Sequence, residues 1–444
     1  MLLNILNYKV YNQTYKGKRK IFTPNNLIGL VKFLKYLKKL NIKPLIVSGG
    51  CGHGDKSFLT ESEYIISLNK LNKVLKIDKK KQIVKVQAGV NLHSLFKLLQ
   101  KSDYFIFNIP GGKKISVGGA IAGNVHGRPQ EKKHTTFGDN ISYIKYIDEN
   151  FNLKKVSSNN LTIQKIISSF SIHGIIVEAG LKIFRIKHKQ IKRVDRSITS
   201  NNDFMNFVSK NKSFYGYINY FEKQKIVGNF CYFEESKKNC KKTTSRKINF
   251  FYLINFIKLD FIISFFINKY SLRIFYFLIF NLKNLLKFKT TDITLTSFEN
   301  SVYFVNINTY LPEYFRKGMI EIQFSVHKKN LLKIISEIKN AQFYNSVFPM
   351  FFIVKKMKKD KKNYFFQFPL YEYCISLGYT KKQTLEKKEH FKKLYEIMFK
   401  NKCNLYLTKD ETVLDFNNNF KNKLKKKIKT VNYYTNDFYQ KILN

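Results

Sequence analysis

Residues 110–127 read PGGKKISVGGAIAGNVHG and hold six of the chain's twenty glycines. Without a Cβ, glycine reaches positive φ at little cost and lets backbone N–H groups come close to a phosphate or a flat ring. Gly111 and Gly112 read as a turn after an apolar strand. Ser116 reads as the cap of a short helix starting near Gly118 and Gly119, which would aim amide dipoles at an anion.

A second cluster, Gly49-Gly50-Cys51-Gly52-His53-Gly54-Asp55, follows the apolar strand Leu45-Ile46-Val47. Before that strand comes a helix read as starting at Thr23-Pro24, with Leu27, Leu30, Val31, Leu34 and Leu37 at helical spacing. Neither cluster matches G-x-x-x-x-G-K-[ST] or a G-x-G-x-x-G opening a helix in a βαβ unit, so a P-loop kinase and a Rossmann dehydrogenase are disfavoured. Two separated glycine loops suit a long, bent ligand.

With Val84-Lys85-Val86-Gln87-Ala88-Gly89-Val90 added, the chain resembles the FAD-linked oxidases of the vanillyl-alcohol-oxidase and p-cresol-methylhydroxylase superfamily. Within it the chain is most similar to the decaprenylphosphoryl-β-D-ribose oxidases, on Val117 to Ala122, His126-Gly127, Phe137-Gly138, Phe368-Pro369 and Leu405 to Asp410. The likeness is dense over about residues 45 to 185 and patchy beyond. It implies an α+β fold: a two-subdomain FAD-binding domain of p-cresol-methylhydroxylase type with a mixed-sheet substrate (cap) domain. The expected division is 1–187 for the FAD-binding domain, 188–402 for the cap and 403–444 for a segment returning to the first domain.

The resemblance further implies that FAD is held by Gly50, Cys51, Gly52, His53, Gly54 and Asp55 on the first loop. On the second it implies Pro110, Gly111, Gly112, Val117, Gly118, Gly119, Ala122, His126 and Gly127, with Gly174, Ile175 and Ile176 at the adenine and ribose. His126 and Lys409 take the catalytic places, the hydroxyl proton and a positive charge beside the flavin, while a hydride passes from a carbinol carbon to flavin N5. Tyr310, Gln323 and Lys355 fall loosely on substrate-side positions. The implied activity is oxidation of a secondary hydroxyl of a polyprenyl-phosphate sugar to a ketone, in an epimerisation for cell-envelope glycan synthesis completed by a short-chain reductase. An aldonolactone or small-polyol oxidase on the same fold is the alternative, and a non-catalytic basic binding module a third.

Several positions depart from the family. Cys51 stands where aldonolactone oxidases carry the histidine that links FAD covalently, and His53 where a tyrosine lines the active site. Ser376 stands where the mycobacterial ribose oxidases have a reactive cysteine, with Cys374 two residues earlier. The run before Gly174 is Ser169-Phe170-Ser171-Ile172-His173 rather than glycine-rich.

With 444 residues, 44% of them hydrophobic, the chain can build two cores. It carries 80 Lys and Arg against 30 Asp and Glu, a net charge of +50 that attracts any polyanion. The excess is mainly lysine spread through every segment, alongside other residues with A/T-rich codons, and no nucleic-acid-binding signature accompanies it, so no specific nucleic acid is expected. Peripheral contact with an anionic membrane is compatible with the charge. Five cysteines without a C-x-x-C indicate neither a disulfide framework nor a metal site. They fit a reducing cytoplasm, and the first residues carry no signal-peptide pattern. The aromatic stretch 249–288 is broken every few positions by Lys258, Asp260, Lys269, Arg273 and Lys283, so it reads as a pair of amphipathic helices, either core of the second domain or a surface that meets lipid, rather than as a membrane span; the resemblance implies that it covers the active-site mouth.

Overall fold

The computed structural model describes residues 3–12, 14–54, 59–110, 112, 114–127, 135–185, 190–211, 213–235, 274, 291–294, 318–360, 362–410, 412–428, 434 and 436–443. Asp55, Gly111, Tyr310 and, apart from Ile274, the 249–288 stretch lie outside the described residues. The chain divides into two units, one of Met1–Ile186, Lys358–Tyr371 and Asn404–Asn444, the other of Lys187–Met357 and Glu372–Cys403. Residues 358–371 thus belong to the first unit, a correction to the division drawn from sequence.

The first unit holds two sheets. One comprises β1 (Asn4–Lys9), β2 (Lys16–Phe22), β3 (Leu45–Val47) and β4 (Tyr64–Ser67) in the order β1-β2-β4-β3. Its β1–β2 hairpin is antiparallel, whereas β4 pairs parallel to both β2 and β3. The crossover from β2 to β3 is helix α1 (Leu27–Lys39), which buries Leu30, Phe33, Leu34 and Leu37 at the spacing of one helical face. Its N-cap is Asn26, whose side chain accepts from the Gly29 N–H at 2.8 Å, so the helix starts later than the Thr23-Pro24 pair suggests.

The other sheet, antiparallel throughout, is β5 (Val74–Asp78), β6 (Ile83–Gln87), β7 (Ile141–Ile147), β8 (Leu153–Ser157) and β9 (Ile175–Lys182) in the order β5-β6-β9-β7-β8. β7 and β8 form a hairpin, and Asp148 shapes its turn by accepting from the Asn150 and Asn152 N–H groups. Helices α2 (Leu92–Gln100) and α3 (Val117–Ala122) complete a core running from Phe22 through Val84, Val86 and Leu95 to Ile144 and Leu181.

Two distant segments close this core. In the inserted piece, Tyr364 is buried and reaches Asp139, Lys362 pairs with the same carboxylate at 3.1 Å, and Phe366 packs on Phe170 and Phe438. Its aromatic run, Tyr364-Phe365-Phe366-Gln367-Phe368, would suit the core of either unit, so sequence alone could not allocate it. The C-terminal helix Asp437–Leu443 brings the Asp437 carboxylate onto the Thr60 N–H and hydroxyl, both at 2.7 Å.

In the second unit, β10 (Gln190–Ile198), β11 (Phe214–Ile218), β12 (Gly228–Glu235), β13 (Thr291–Thr294), β14 (Met319–Val326), β15 (Phe351–Lys356) and β16 (Tyr373–Thr380) lie in the order β13-β10-β12-β11-β15-β16-β14. The described pairs among these seven strands run antiparallel. Ile322, Phe324, Ile375, Leu377, Val354, Phe214 and Phe230 form the apolar face. Helix α4 (Asn201–Lys210) packs there through Phe207 on Phe214 and Phe230. Helices α5 (Leu331–Tyr344) and α6 (Lys388–Lys400) pack together, and Phe391 of α6 meets Tyr379.

His390 on α6 is buried beside Tyr379, and burial pushes its pKa from 6.5 down to about 4, the Ala341 carbonyl offsetting only part of this. Above pH 6.5 the ring is neutral folded or unfolded; as pH falls toward 4 only the unfolded chain takes up the proton, so stability is lost across that window. The loss approaches about 3 kcal/mol at its lower end. The melting midpoint should therefore fall between pH 7 and pH 5, and fall less in His390→Leu; an equal fall would exclude this histidine as a cause.

Candidate functional site

The first glycine loop is anchored from the N-terminal side: Gly52 accepts from the Tyr11 N–H at 3.4 Å, and the Gly54 N–H donates to the Asn12 side chain at 3.1 Å. Gly50 and Gly54 have φ of 65° and 52°, in the left-handed region. A Cβ on Gly49 would lie 2.5 Å from the Lys114 carbonyl oxygen, so this glycine lets the two loops touch. One on Gly50 would meet nothing within 4 Å. The N–H groups of Gly50, Cys51 and Gly52 donate to no protein acceptor among the described residues. Three amide donors on a turn that admits close approach form an anion cradle. Burial raises the Cys51 thiol to about 11 despite nearby Lys114, so it stays protonated at neutral pH and unsuited to nucleophilic attachment.

The second loop differs from its sequence reading. Ser116 does cap α3, accepting from the Gly119 N–H at 3.3 Å, but the Val117 and Gly118 N–H groups donate to the Val90 and Ala88 carbonyls at 2.9 and 2.8 Å. All three leading amides are occupied, so this helix start offers an anion no donors. Val117 and Gly118 are sealed in the core, Gly118 because its Cβ would stand 2.9 Å from that of Ala88. Gly119 alone of the pair is exposed.

Gly127 crosses the chain at Ile109-Pro110, where a Cβ would lie 1.9 Å from the Ile109 oxygen, and a Cβ on Gly112 would crowd the Ile115 side chain at 2.8 Å. Much of the glycine density thus serves chain crossing; Gly50 faces open space, and a Cβ on exposed Gly119 would meet only the Ser116 hydroxyl, at 3.3 Å. Pro110, Gly112 and Ala122 are half-buried.

Gly174, Ile175 and Ile176 are likewise corrected. All three are buried; Ile175 and Ile176 belong to the core cluster, and Gly174, at φ 137°, fits against the Ile147 oxygen and the Tyr146 ring. No surface remains there for an adenine or ribose. The preceding turn holds Ser168, Phe170 and Ser171 at φ of 65°, 47° and 68°, a conformation that costs L-residues about 1–2 kcal/mol each. It is fastened by Ser168 and Phe170 N–H groups to the Ile121 and Ala122 carbonyls, by Ser168 Oγ to Phe366, and by Tyr439 Oη to Ser169.

His126, half-buried, packs its ring 4.9 Å from Tyr406 and 5.8 Å from Phe368. Tyr406 Oη donates to the Gly123 carbonyl at 3.3 Å, and Thr408 Oγ1 donates to the same oxygen at 2.6 Å. Gly123 must lack a side chain, since its Cβ would lie 2.7 Å from Thr408 Cγ2. The Lys409 and Asp410 N–H groups both return to the Tyr406 carbonyl, and buried Asp410 accepts from the Thr412 and Val413 N–H groups. The turn bearing Lys409 is therefore fixed and bound to the strand of chain that ends in His126. Tyr406, Thr408 and Asp410 were visible in sequence only as members of a motif.

In the second unit, Gln323 is fully buried with Nε2 2.9 Å from Cys374 Sγ, and Lys355 pairs with Cys374 across the strands. Ser376 donates a short hydrogen bond to Glu321. Register places these side chains on one face of the sheet. Burying polar groups is unfavourable unless they are hydrogen-bonded, and these bonds hold a small polar cluster on a face that also carries Met319, Phe351 and Ile353. Glu321 was missed from sequence because nothing marks it before the register is known.

Residues 19–157 match the family model of the FAD binding domain. The chain carries a FAD binding domain. It is similar to L-gulonolactone oxidase of Scyliorhinus torazame, 28% identical over 24% of this chain and 23% of that one. It is also similar to D-arabinono-1,4-lactone oxidase of Candida glabrata, 26% identical over 38% and 33%. The chain spans about a quarter to a third of the length of these curated relatives. Among solved structures, cholesterol oxidase from Brevibacterium sterolicum matches with a TM-score of 0.73 at 12% identity, covering 100% of this chain and 97% of that one. The fold is thus the one seen in that cholesterol oxidase.

The residues fit the cofactor at the first loop, where open donors and an uncrowded Gly50 suit a pyrophosphate, and do not fit it at the start of α3. Gly50→Ala should cost only the left-handed backbone term, about 1–2 kcal/mol. Gly127→Ala must displace the Ile109 carbonyl and should cost more than about 3 kcal/mol. Thermal melting of the two variants checks this, and equal losses would remove the distinction between cradle and crossing glycines.

Proposed function

We propose that the chain is an FAD-dependent oxidoreductase acting on CH–OH donors, and that its donor is a secondary hydroxyl of a lipid-linked, polyprenyl-phosphate sugar. The observation that carries the catalytic reading is the attachment of the His126 segment to the Tyr406–Asp410 turn through the Gly123 carbonyl. It holds a base and a lysine on one rigid frame. Bound FAD supplies the two-electron acceptor for the carbinol hydride.

The amides of Gly50, Cys51 and Gly52 hold the pyrophosphate, and Gly119 lets the chain approach the cofactor. His126 takes the hydroxyl proton, its ring orientation set by Tyr406 and Phe368. Lys409 holds the alcohol oxygen and supplies positive charge where negative charge develops.

The lipid-linked donor is supported by the Phe368-Pro369 and Leu405-to-Asp410 motifs, and a ketone product calls for a short-chain reductase as partner. The second reading, an aldonolactone oxidase, is favoured by the names of the two lactone-oxidase relatives. Non-covalent FAD fits both, given the protonated Cys51.

Purified protein should be yellow and release its flavin on acid precipitation; protein that takes up no FAD would end both readings. Gly50→Val should fold yet bind FAD at least about tenfold more weakly. Bleaching of the flavin by a polyprenyl-phosphoryl pentose, and not by aldonolactones, selects the first reading, and the reverse selects the second. Lys409→Ala should keep its FAD and slow bleaching by about 100-fold; an unchanged rate would deny Lys409 its role.

A further inference from the structure

The first 54 residues contain ten Lys and Arg and no Asp or Glu, so all 30 acidic residues of the chain lie beyond them. Within that stretch, the β1–β2 hairpin ends its sheet with β1 as the edge strand. Register sets Ile5 opposite Lys20, Asn7 opposite Lys18 and Lys9 opposite Lys16, which puts a row of four lysines on one face beside Ile5. Leu6 projects from the other face, opposite Arg19. Ile5 is 67% and Leu6 54% exposed, and Leu3 is exposed just before the strand. Glu63 pairs with Lys20 at one end of the row; Lys9, Lys16 and Lys18 have no carboxylate partner among the described residues.

Two aliphatic side chains on opposite faces of an edge strand can be covered together only by a medium that wraps the edge. A second copy pairing along β1 would bring together two hairpins of the same strong positive charge, which opposes that pairing. Nucleic acid would meet the lysines and leave Ile5 and Leu6 in water. We propose that the β1–β2 hairpin is a docking edge for an anionic lipid bilayer. Ile5, Leu6 and Leu3 enter the boundary between headgroups and acyl chains, where headgroups and water satisfy the strand's open backbone groups, and the lysines bind lipid phosphates. The docking is independent of the substrate, since it uses no residue of the proposed active site.

Flotation of the FAD-loaded protein with vesicles tests this. Wild type should bind phosphatidylcholine vesicles containing about 30% phosphatidylglycerol, and should not bind pure phosphatidylcholine. Ile5→Thr/Leu6→Thr, which keeps strand-favouring residues and the charge, should bind about tenfold more weakly, as should Lys16→Gln/Lys18→Gln. Flavin content and melting midpoint verify the fold of each variant; should the first pair fail that check, Ile5→Ser and Leu6→Ser singly replace it. Wild type that ignores anionic vesicles, or folded aliphatic variants that bind as wild type does, would overturn the proposal. So would a wild-type dimer that Ile5→Thr/Leu6→Thr dissociates, which would assign the edge to a second copy.

Discussion

One carbonyl oxygen, that of Gly123, receives hydroxyl hydrogen bonds from Tyr406 and Thr408, residues more than 280 positions further along the chain. Closing so long a loop costs chain entropy only logarithmically in its length, so a few well-made bonds and buried rings can hold it. Tyr406, Leu407 and Phe368 are all buried around this point. The consequence is geometric: the turn that presents Lys409 and the segment that presents His126 inherit one frame. Gly123 cannot carry a side chain without separating them.

The same logic explains the glycines. A backbone crossing needs a missing Cβ just as a bound phosphate does, and PGGKKISVGGAIAGNVHG contains both kinds of need. Position in the sequence does not tell them apart. Gly127 and Gly123 stand at crossings, Gly118 presses on Ala88, and only Gly119 faces outward among the helical glycines. Distinguishing them requires knowing which carbonyls take the leading amides of the short helix, and those belong to Ala88 and Val90, nearly thirty residues earlier.

Local signals were therefore legible and long-range ones were not. The apolar face of Leu27–Lys39, the hairpin at Asp148 and the two glycine clusters each follow from residues within one turn or strand of each other. The capping residue moved to Asn26 because several polar residues before the helix compete for that place. Residues 358–371 were misallocated because an aromatic run has no address of its own. Ile175 and Ile176 were offered to a ligand because their strand follows a glycine, yet the pairing with β7 seals them. Glu321 became visible only when register set it near Ser376.

Thr60, a few positions beyond the first glycine loop, is held by Asp437 through both its N–H and its hydroxyl. On the ribosome, the residue that fastens the far side of this loop emerges nearly 380 positions after the residue it fastens. Tyr439 likewise arrives late to clamp the strained Ser168–Ser171 turn. The chain next to the glycine loop is consequently braced by a residue synthesised long after it, so contacts of very high sequence separation hold this part of the fold.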